Sequence, residues 1–395
     1  MICKICKKNE INEVLNLGLQ PLANKYPKNK NDFLLEKTFP LNLLFCSNCL
    51  NVQIKNIIDR KEMFEDYYYL SSVNEALVSH FEDLAKKLSS SSFLVDIGSN
   101  DGILLKPLKS MGIKSLGIDP SINVGKIAND NGLETLIGFF NSSSVEKIIN
   151  DYGKPDTIVA SSVFTHIENP KQFAIDIKNL IEENGFLILE VEYLSNFIKN
   201  IQFERFYFDR PFYYSLFSIK ILFQQVGMSL VNVEYIDTHG GSIRCYIKNS
   251  KDEQSTSLVE EILNKEKLHL NIETFKIFQK KIIKETTNLK KKLNYFKRSR
   301  KKVIGYGAPA RVSTITNFAN IDYNHIDFII DDSPLKQDRY TPGTHIPIIS
   351  REKSKSRNVD IIIVFAYEYF MEIKELTKDY DCEYFKPIPF SKLSQ

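Results

Sequence analysis

Apolar positions recur along this chain in two periods. Leu77, Phe81, Leu84 and Leu88 stand three to four residues apart, which predicts a helix over 74–88, ended by Ser89-Ser90-Ser91-Ser92. Beyond it, short apolar runs alternate with helical stretches. Phe93–Ile97 reads as a buried strand, Ile103–Met111 as a helix and Ser115–Ile118 as a strand. Thr157–Ala160 and Phe186–Val191 are further strands. Repeated strand–helix units of this length predict a parallel sheet with helices on both faces. Residues 251–300 are charged, with Leu258, Ile262, Phe275, Phe278, Ile282, Leu289, Leu293 and Phe296 at helical spacing, a long connecting helix pair. A second strand–helix series starts near Lys301. Residues 302–306 form a strand, Gly307–Arg311 a turn into a helix, Ile326–Ile330 a strand ending at Asp331-Asp332, and Val359–Ala366 a buried strand. The expected organisation is a small unit over 1–62, an α/β domain over 63–250, a helical connector over 251–300 and a second α/β domain over 301–395.

Composition narrows the class. With 43% hydrophobic and 26% charged residues, the chain reads as soluble and globular. It has no apolar run of about 18 residues, so no membrane partner is expected. A net charge of +3 argues against a dedicated nucleic-acid binder. The first residues, Met1-Ile2-Cys3-Lys4-Ile5-Cys6, lack the apolar core of a secretory signal, so a cytoplasmic location is expected. Thiols stay reduced there, and Cys3/Cys6 and Cys46/Cys49 form two CxxC pairs. Two such knuckles complete a tetrahedral four-thiolate shell for Zn2+. No ligand position is left open, so this zinc is expected to be structural.

A second chemical feature follows the strand over Phe93–Ile97. Val95-Asp96-Ile97-Gly98-Ser99-Asn100-Asp101-Gly102 opens a helix, and glycines there let backbone approach a ligand at the carboxyl end of a sheet. Asp119 ends the next strand, 23 residues after Asp96, where an acid can hold ribose hydroxyls. The string lacks the third glycine of a dinucleotide fingerprint. Asp96-Ile97-Gly98-Ser99-Asn100-Asp101-Gly102 resembles motif I of class I S-adenosylmethionine-dependent methyltransferases. The resemblance implies that Asp96, Gly98, Asn100, Asp101 and Gly102 hold the methionine part, that Asp119 holds ribose, and that Phe139, Phe140 and Ser161 lie near the cofactor. Asp96 and Asp101 can also be read as helix caps.

A wider resemblance covers nearly the whole chain. The four-cysteine unit, methyltransferase core, long helices and second Rossmann-like domain together resemble the sugar C-methyltransferase family. Its signposts are Tyr67-Tyr68-Tyr69-Leu70-Ser71-Ser72, Val163-Phe164-Thr165-His166-Ile167, Gln202-Phe203, His239-Gly240-Gly241-Ser242-Ile243-Arg244, Tyr306-Gly307-Ala308-Pro309-Ala310-Arg311 and Arg339-Tyr340-Thr341-Pro342-Gly343-Thr344-His345. The family implies a nucleotide-diphosphate sugar partner, held by the carboxyl-terminal domain with the acceptor sugar in the cleft. Substrate contacts are then expected from His239, Gly240, Gly241, Tyr306, Gly307, Arg311, Arg339 and Tyr340. Arg311, near a helix start, suits a diphosphate. The histidine–glycine string also reads as a hairpin turn, and the lysine runs 290–292 and 297–302 as a solvated helix face.

One departure bears on the reaction. C-methylation beside a ketone needs a base for a carbon-bound proton and support for the enolate. The family supplies both from a Tyr-His-Glu-His string after the Gln-Phe. Here Tyr207 keeps the tyrosine, Asp209 takes the glutamate's place and Arg210 that of the last histidine. Arginine cannot accept a proton near neutrality. Three readings follow: methylation of a sugar hydroxyl, which the altered string favours, C-methylation with His166 or Asp209 as base, or binding without catalysis. Tyr67, Tyr69, Tyr207, Asp209, Arg210 and His166 are the candidate catalytic residues. The tyrosines can equally be core aromatics, and His166 a core histidine. The expected product is a methylated sugar for a capsule, lipopolysaccharide or related glycan.

Overall fold

The structure, a computed structural model, describes residues 1–58 and 75–394. Tyr67 and Tyr69 lie outside the described residues. The described residues build three sheets. At the amino end, β1 (Ile11–Pro21), β2 (Thr38–Cys46) and β3 (Val52–Ile54) run antiparallel. The middle sheet takes β4 (Phe93–Ile97), β5 (Lys114–Asp119), β6 (Thr135–Ile137), β7 (Thr157–Ser161) and β8 (Phe186–Glu192), all parallel. The chain then returns to the first sheet. The two-residue β9 (Phe212–Tyr213) pairs with β3, Val52 opposite Tyr213 and Gln53 opposite Phe212. Next β10 (Ser229–Ile236) and β11 (Ser242–Lys248) form a hairpin, and β11 runs antiparallel beside β8. The middle order is thus β10-β11-β8-β7-β4-β5-β6. The order turns back at β4, between β5 and β7, and this is where an open α/β sheet binds its ligand.

The third sheet has the order β14-β15-β13-β12-β16-β17-β18. Its strands are β12 (Val303–Tyr306), β13 (Ile329–Ile330), β14 (Arg339–Tyr340), β15 (Pro347–Ile349), β16 (Ile361–Val364), β17 (Glu383–Lys386) and β18 (Ser391–Lys392). Its five central strands are parallel and both edges are antiparallel. The helices Ser257–His269 and Ile272–Arg298 connect the second sheet to the third. They bury Val259, Ile262, Phe275, Phe278, Ile282, Leu289 and Leu293 and leave their lysines outside, as an apolar stripe dictates. Buried Glu266 on the first of them accepts the Leu216 and Phe217 N–H groups at 2.7 and 2.8 Å, so the connector caps the helix Leu216–Gln224. The expected helix at 74–88 runs over Glu75–Lys87 with Leu77, Phe81 and Leu84 buried. No helix among the described residues is long and apolar enough to cross a membrane.

Candidate active site

The four paired cysteines meet. Cys3 Sγ lies 3.6 Å from Cys49 Sγ and Cys6 Sγ 3.6 Å from Cys46 Sγ, and all four sulfurs fall within 4.8 Å of one another. A tetrahedron of sulfurs about 2.3 Å from zinc has edges of about 3.8 Å, so the donor set fits the ion. Cys46, hydrogen-bonded by Cys3 and Cys49, is pulled down to about 2, and Cys3 is pushed up to about 12. Four thiolates this close keep their charge around a cation. Cys3, Cys46 and Cys49 are fully buried in one core with Phe164, Phe173, Phe212 and Tyr214, so the knuckles are packed on the middle sheet.

The glycine loop closes over the carboxyl end of β4. Gly98 and Gly102 have φ of +76° and +85°, a left-handed backbone that favours glycine. A Cβ on Gly98 would come 3.0 Å from the Val163 Cβ, and one on Gly102 2.5 Å from Leu133 Cδ1. Asn100, also left-handed at +49°, donates its N–H to Asp119 Oδ2 at 3.0 Å, and the Ser121 N–H reaches Oδ1 at 2.8 Å. Asp119 is thereby locked in place, and each oxygen keeps a second lone pair for a ribose hydroxyl. Asp96 lies buried beneath the loop; burial, then the Asp119 and Glu190 carboxylates, push it up to about 8. Asp101 is also buried. Phe140 packs on Phe173 at 5.3 Å, while Phe139 is exposed. These residues make a cradle that fits S-adenosylmethionine.

Ser161 is committed to a charge cluster that sequence reading missed. Its hydroxyl donates to Glu190 Oε2 at 2.6 Å. Glu190 also meets His80 Nε2 at 2.9 Å and Arg244 Nε at 2.6 Å. Burial would push Glu190 up, but these contacts outweigh it and hold it at about 2. Arg244 belongs to the histidine–glycine string, whose turn joins β10 to β11 as a hairpin. A Cβ on Gly240 would lie 2.3 Å from Arg205 Nη2 and one on Gly241 2.5 Å from Asn196 Nδ2, so the turn is fitted to those side chains.

The acceptor-side candidates gather on one turn between the short helix Phe203–Arg205 and β9. Tyr213 pins this turn: its hydroxyl accepts the Tyr207 N–H at 2.9 Å and donates to the Tyr207 carbonyl at 3.1 Å. Asp209 is buried, which pushes its carboxyl up, and its Oδ2 accepts Asn24 Nδ2 at 2.6 Å. His166, at the end of the helical turn Phe164–His166 after β7, places Nδ1 2.7 Å from the Asp209 carbonyl oxygen. A carbonyl only accepts, so Nδ1 carries the proton and the neutral ring has its lone pair on Nε2. Arg210 is ion-paired with Glu192, the last residue of β8, and its guanidinium lies 5.1 Å from the Tyr207 ring centre. His239, held down by burial, and His166 both bear on the Glu192 carboxylate.

The third sheet closes this end. Tyr26 donates to the Ala308 carbonyl at 2.7 Å, and the Asp331, Asp209 and Tyr207 side chains stand around its buried hydroxyl. Asp331 accepts the Ala308 N–H at 2.7 Å; the Tyr306 hydroxyl donates to Asp332 at 2.7 Å. A Cβ on Gly307 would come 2.6 Å from the Ala366 Cβ. Arg311 is paired with Glu368 at 2.8 Å, over the Tyr367 ring, and Arg205 reaches the same carboxylate at 2.5 Å. Arg339 and Tyr340 stand at the seam with the amino-terminal unit: Arg339 Nη1 reaches the Tyr26 carbonyl at 3.4 Å and the Tyr340 N–H the Pro27 carbonyl at 3.0 Å. Asn24, Tyr26 and Glu192 were not foreseen; no local string marks them.

Three family models match the chain in order. They are a zinc-binding domain over 3–64, a methyltransferase domain over 69–233 and a C-methyltransferase C-terminal domain over 237–389. The last begins at 237 and so takes in the β10–β11 turn. The C-methyltransferase NovU of Streptomyces niveus is 27% identical over 387 residues, 96% of this chain and 92% of its own. The ubiquinone biosynthesis O-methyltransferase of Rickettsia felis is 26% identical over 124 residues, 30% of this chain and 47% of its own. The magnesium protoporphyrin IX methyltransferase of Synechocystis, solved with bound S-adenosylhomocysteine, is 16% identical, with a TM-score of 0.35 over 44% of this chain and 83% of its own.

Proposed function

Because this chain is an S-adenosylmethionine-dependent methyltransferase of class I, with the zinc-binding unit and the carboxyl-terminal domain of the C-methyltransferases, we propose that it methylates a carbon beside a ketone in a nucleotide-diphosphate sugar. The observation that carries carbon over oxygen is the match of residues 237–389 to a C-methyltransferase domain, alongside similarity to a C-methyltransferase from end to end. The O-methyltransferase relatives share only 30% of the chain. Arg210 favoured a hydroxyl acceptor when read from the sequence, because it cannot serve as base. It does not exclude enolisation, since His166 is hydrogen-bonded to the Asp209 carbonyl and both stand beside Arg210.

When bound, S-adenosylmethionine supplies an electrophilic methyl group. Asp119 and the Gly98–Gly102 loop, at the carboxyl end of β4, would hold it. His166, with its proton fixed on Nδ1, has Nε2 to take the carbon-bound proton. Asp209 orients that ring through its carbonyl, and Asn24 fixes Asp209. Arg205, Arg311 and Lys386 gather positive charge around Tyr367 and Glu368, which suits a diphosphate. Domain limits of 1–62, 63–250, 251–300 and 301–395 are part of this reading, as are a cytoplasmic site of action and a product destined for a surface glycan.

The test is incubation with S-adenosylmethionine and a panel of GDP-, dTDP-, UDP- and CDP-sugars, with and without a ketone, read by mass and NMR. A new carbon-bound methyl that requires the ketone is expected. A methyl on oxygen with no ketone requirement overturns the proposal.

A further inference from the structure

We propose that Arg210 is a catalytic residue that receives the enolate oxygen of the acceptor as a permanent cation, in place of a group that shuttles protons. The inference rests on the carbon-methylation reading. Arg210 is 9% exposed and stands on the turn that carries Tyr207 and Asp209. Its partner Glu192 is almost fully buried at the carboxyl edge of β8, with His239 and His166 as its other titratable neighbours. Among the described residues, Arg210 Nε and Nη1 have no hydrogen-bond acceptor, so two buried guanidinium nitrogens are unspent. A buried donor without a partner is destabilising, and a charged guanidinium more so. Such an arrangement persists where a ligand completes it. The Tyr207 ring under the guanidinium and the Glu192 carboxylate hold the fork in one orientation.

The chemistry asks for this. When the base takes the proton from carbon, the C–H pair becomes the new C=C bond and the carbonyl pair moves onto oxygen. That oxygen gains a full negative charge. A donor fixed before the reaction stabilises it without reorganisation. Glu192 keeps the guanidinium from being a bare buried charge between turnovers, and a uninegative pair–ligand cluster replaces a neutral pair as the enolate forms. No proton moves to or from Arg210.

Enolisation can be read without the methyl donor. The probe is dTDP-4-keto-6-deoxyglucose, with the other keto-sugar nucleotides of the panel, in deuterated water. Loss of the carbon-bound proton signal beside the ketone is followed by NMR. The wild-type protein is expected to exchange it. Arg210→Gln, and Arg210→Gln with Glu192→Gln so that no lone carboxylate is buried, are expected to slow exchange and kcat by about 100-fold or more. KM for the sugar nucleotide and the affinity for S-adenosylmethionine should stay within a few-fold, which reports an intact fold. Arg210→Lys, which keeps the charge, should recover much of the rate. Wild-type exchange that both glutamine variants preserve overturns this assignment alone. A wild-type protein that exchanges nothing and places its methyl on oxygen overturns the carbon reading and this assignment with it.

Discussion

His166 depends on a single backbone oxygen. The Asp209 carbonyl fixes its tautomer, so one contact decides which ring nitrogen is a base. His166→Asn keeps a donor for that carbonyl and removes the base. It is expected to lower kcat by 100-fold or more, the usual worth of a positioned base, with S-adenosylmethionine affinity unchanged by calorimetry. Asp96 makes a different prediction. Its folded pKa of about 8 exceeds the unfolded value near 3.8, so the unfolded chain gives up this proton first. Stability without cofactor therefore falls as pH rises from about 4 to about 8. Asp96→Asn mimics the protonated form and should raise the unfolding temperature at pH 8, by about 2–4 °C for each kcal/mol recovered, with little difference at pH 4. Thermal scans across that range check it. Residues of this kind divide by how they announce themselves. The four cysteines, the glycine loop and Asp119 sit in short strings with chemical meaning. Asn24 meets Asp209 across 185 positions, and nothing near Asn24 marks it.

Elements were legible where they were long and buried. The strands β4, β5, β7, β8 and β16 are four to seven residues long and mostly buried, and their helices carry clear stripes. The two-residue strands β9 and β14 have no period to read, because alternation needs more positions than they have. The run Ile326–Ile330 contributes only Ile329 and Ile330 to its sheet ladder, after the Asp327 N–H has bonded to the Val303 carbonyl. The acceptor turn was visible as a string, but its support by Tyr213 was not. The glycine loop offers a test at this scale. Gly102→Ala puts a methyl group against Leu133 at a left-handed position, a strain of about 1–3 kcal/mol. A lower unfolding temperature and weaker S-adenosylmethionine binding are expected, measured by calorimetry.

Across the molecule, the amino-terminal unit holds the other two parts together. Asn24 touches the acceptor turn, Tyr26 and Pro27 engage the third sheet, and Phe33 stacks on His345 while Glu36 pairs with it. This was beyond the sequence, since every one of these contacts joins distant positions. The zinc ligand Cys46 ends β2, whose neighbour β3 pairs with β9 at the end of the acceptor turn. Cys46→Ser, or removal of zinc by a chelator, should therefore lower kcat and the unfolding temperature more than it weakens S-adenosylmethionine binding. Metal content, turnover and calorimetry on the same samples decide this.

The pairing of β3 with β9 also sets a timetable. Gln53 meets Phe212 only after about 160 further residues have been made. At about 5–20 residues per second, a growing chain carries that strand edge unpaired for roughly 10–30 s. A unit made well before the acceptor turn is thus among the last to be finished, and the edge it exposes in the interval is open to any neighbouring strand.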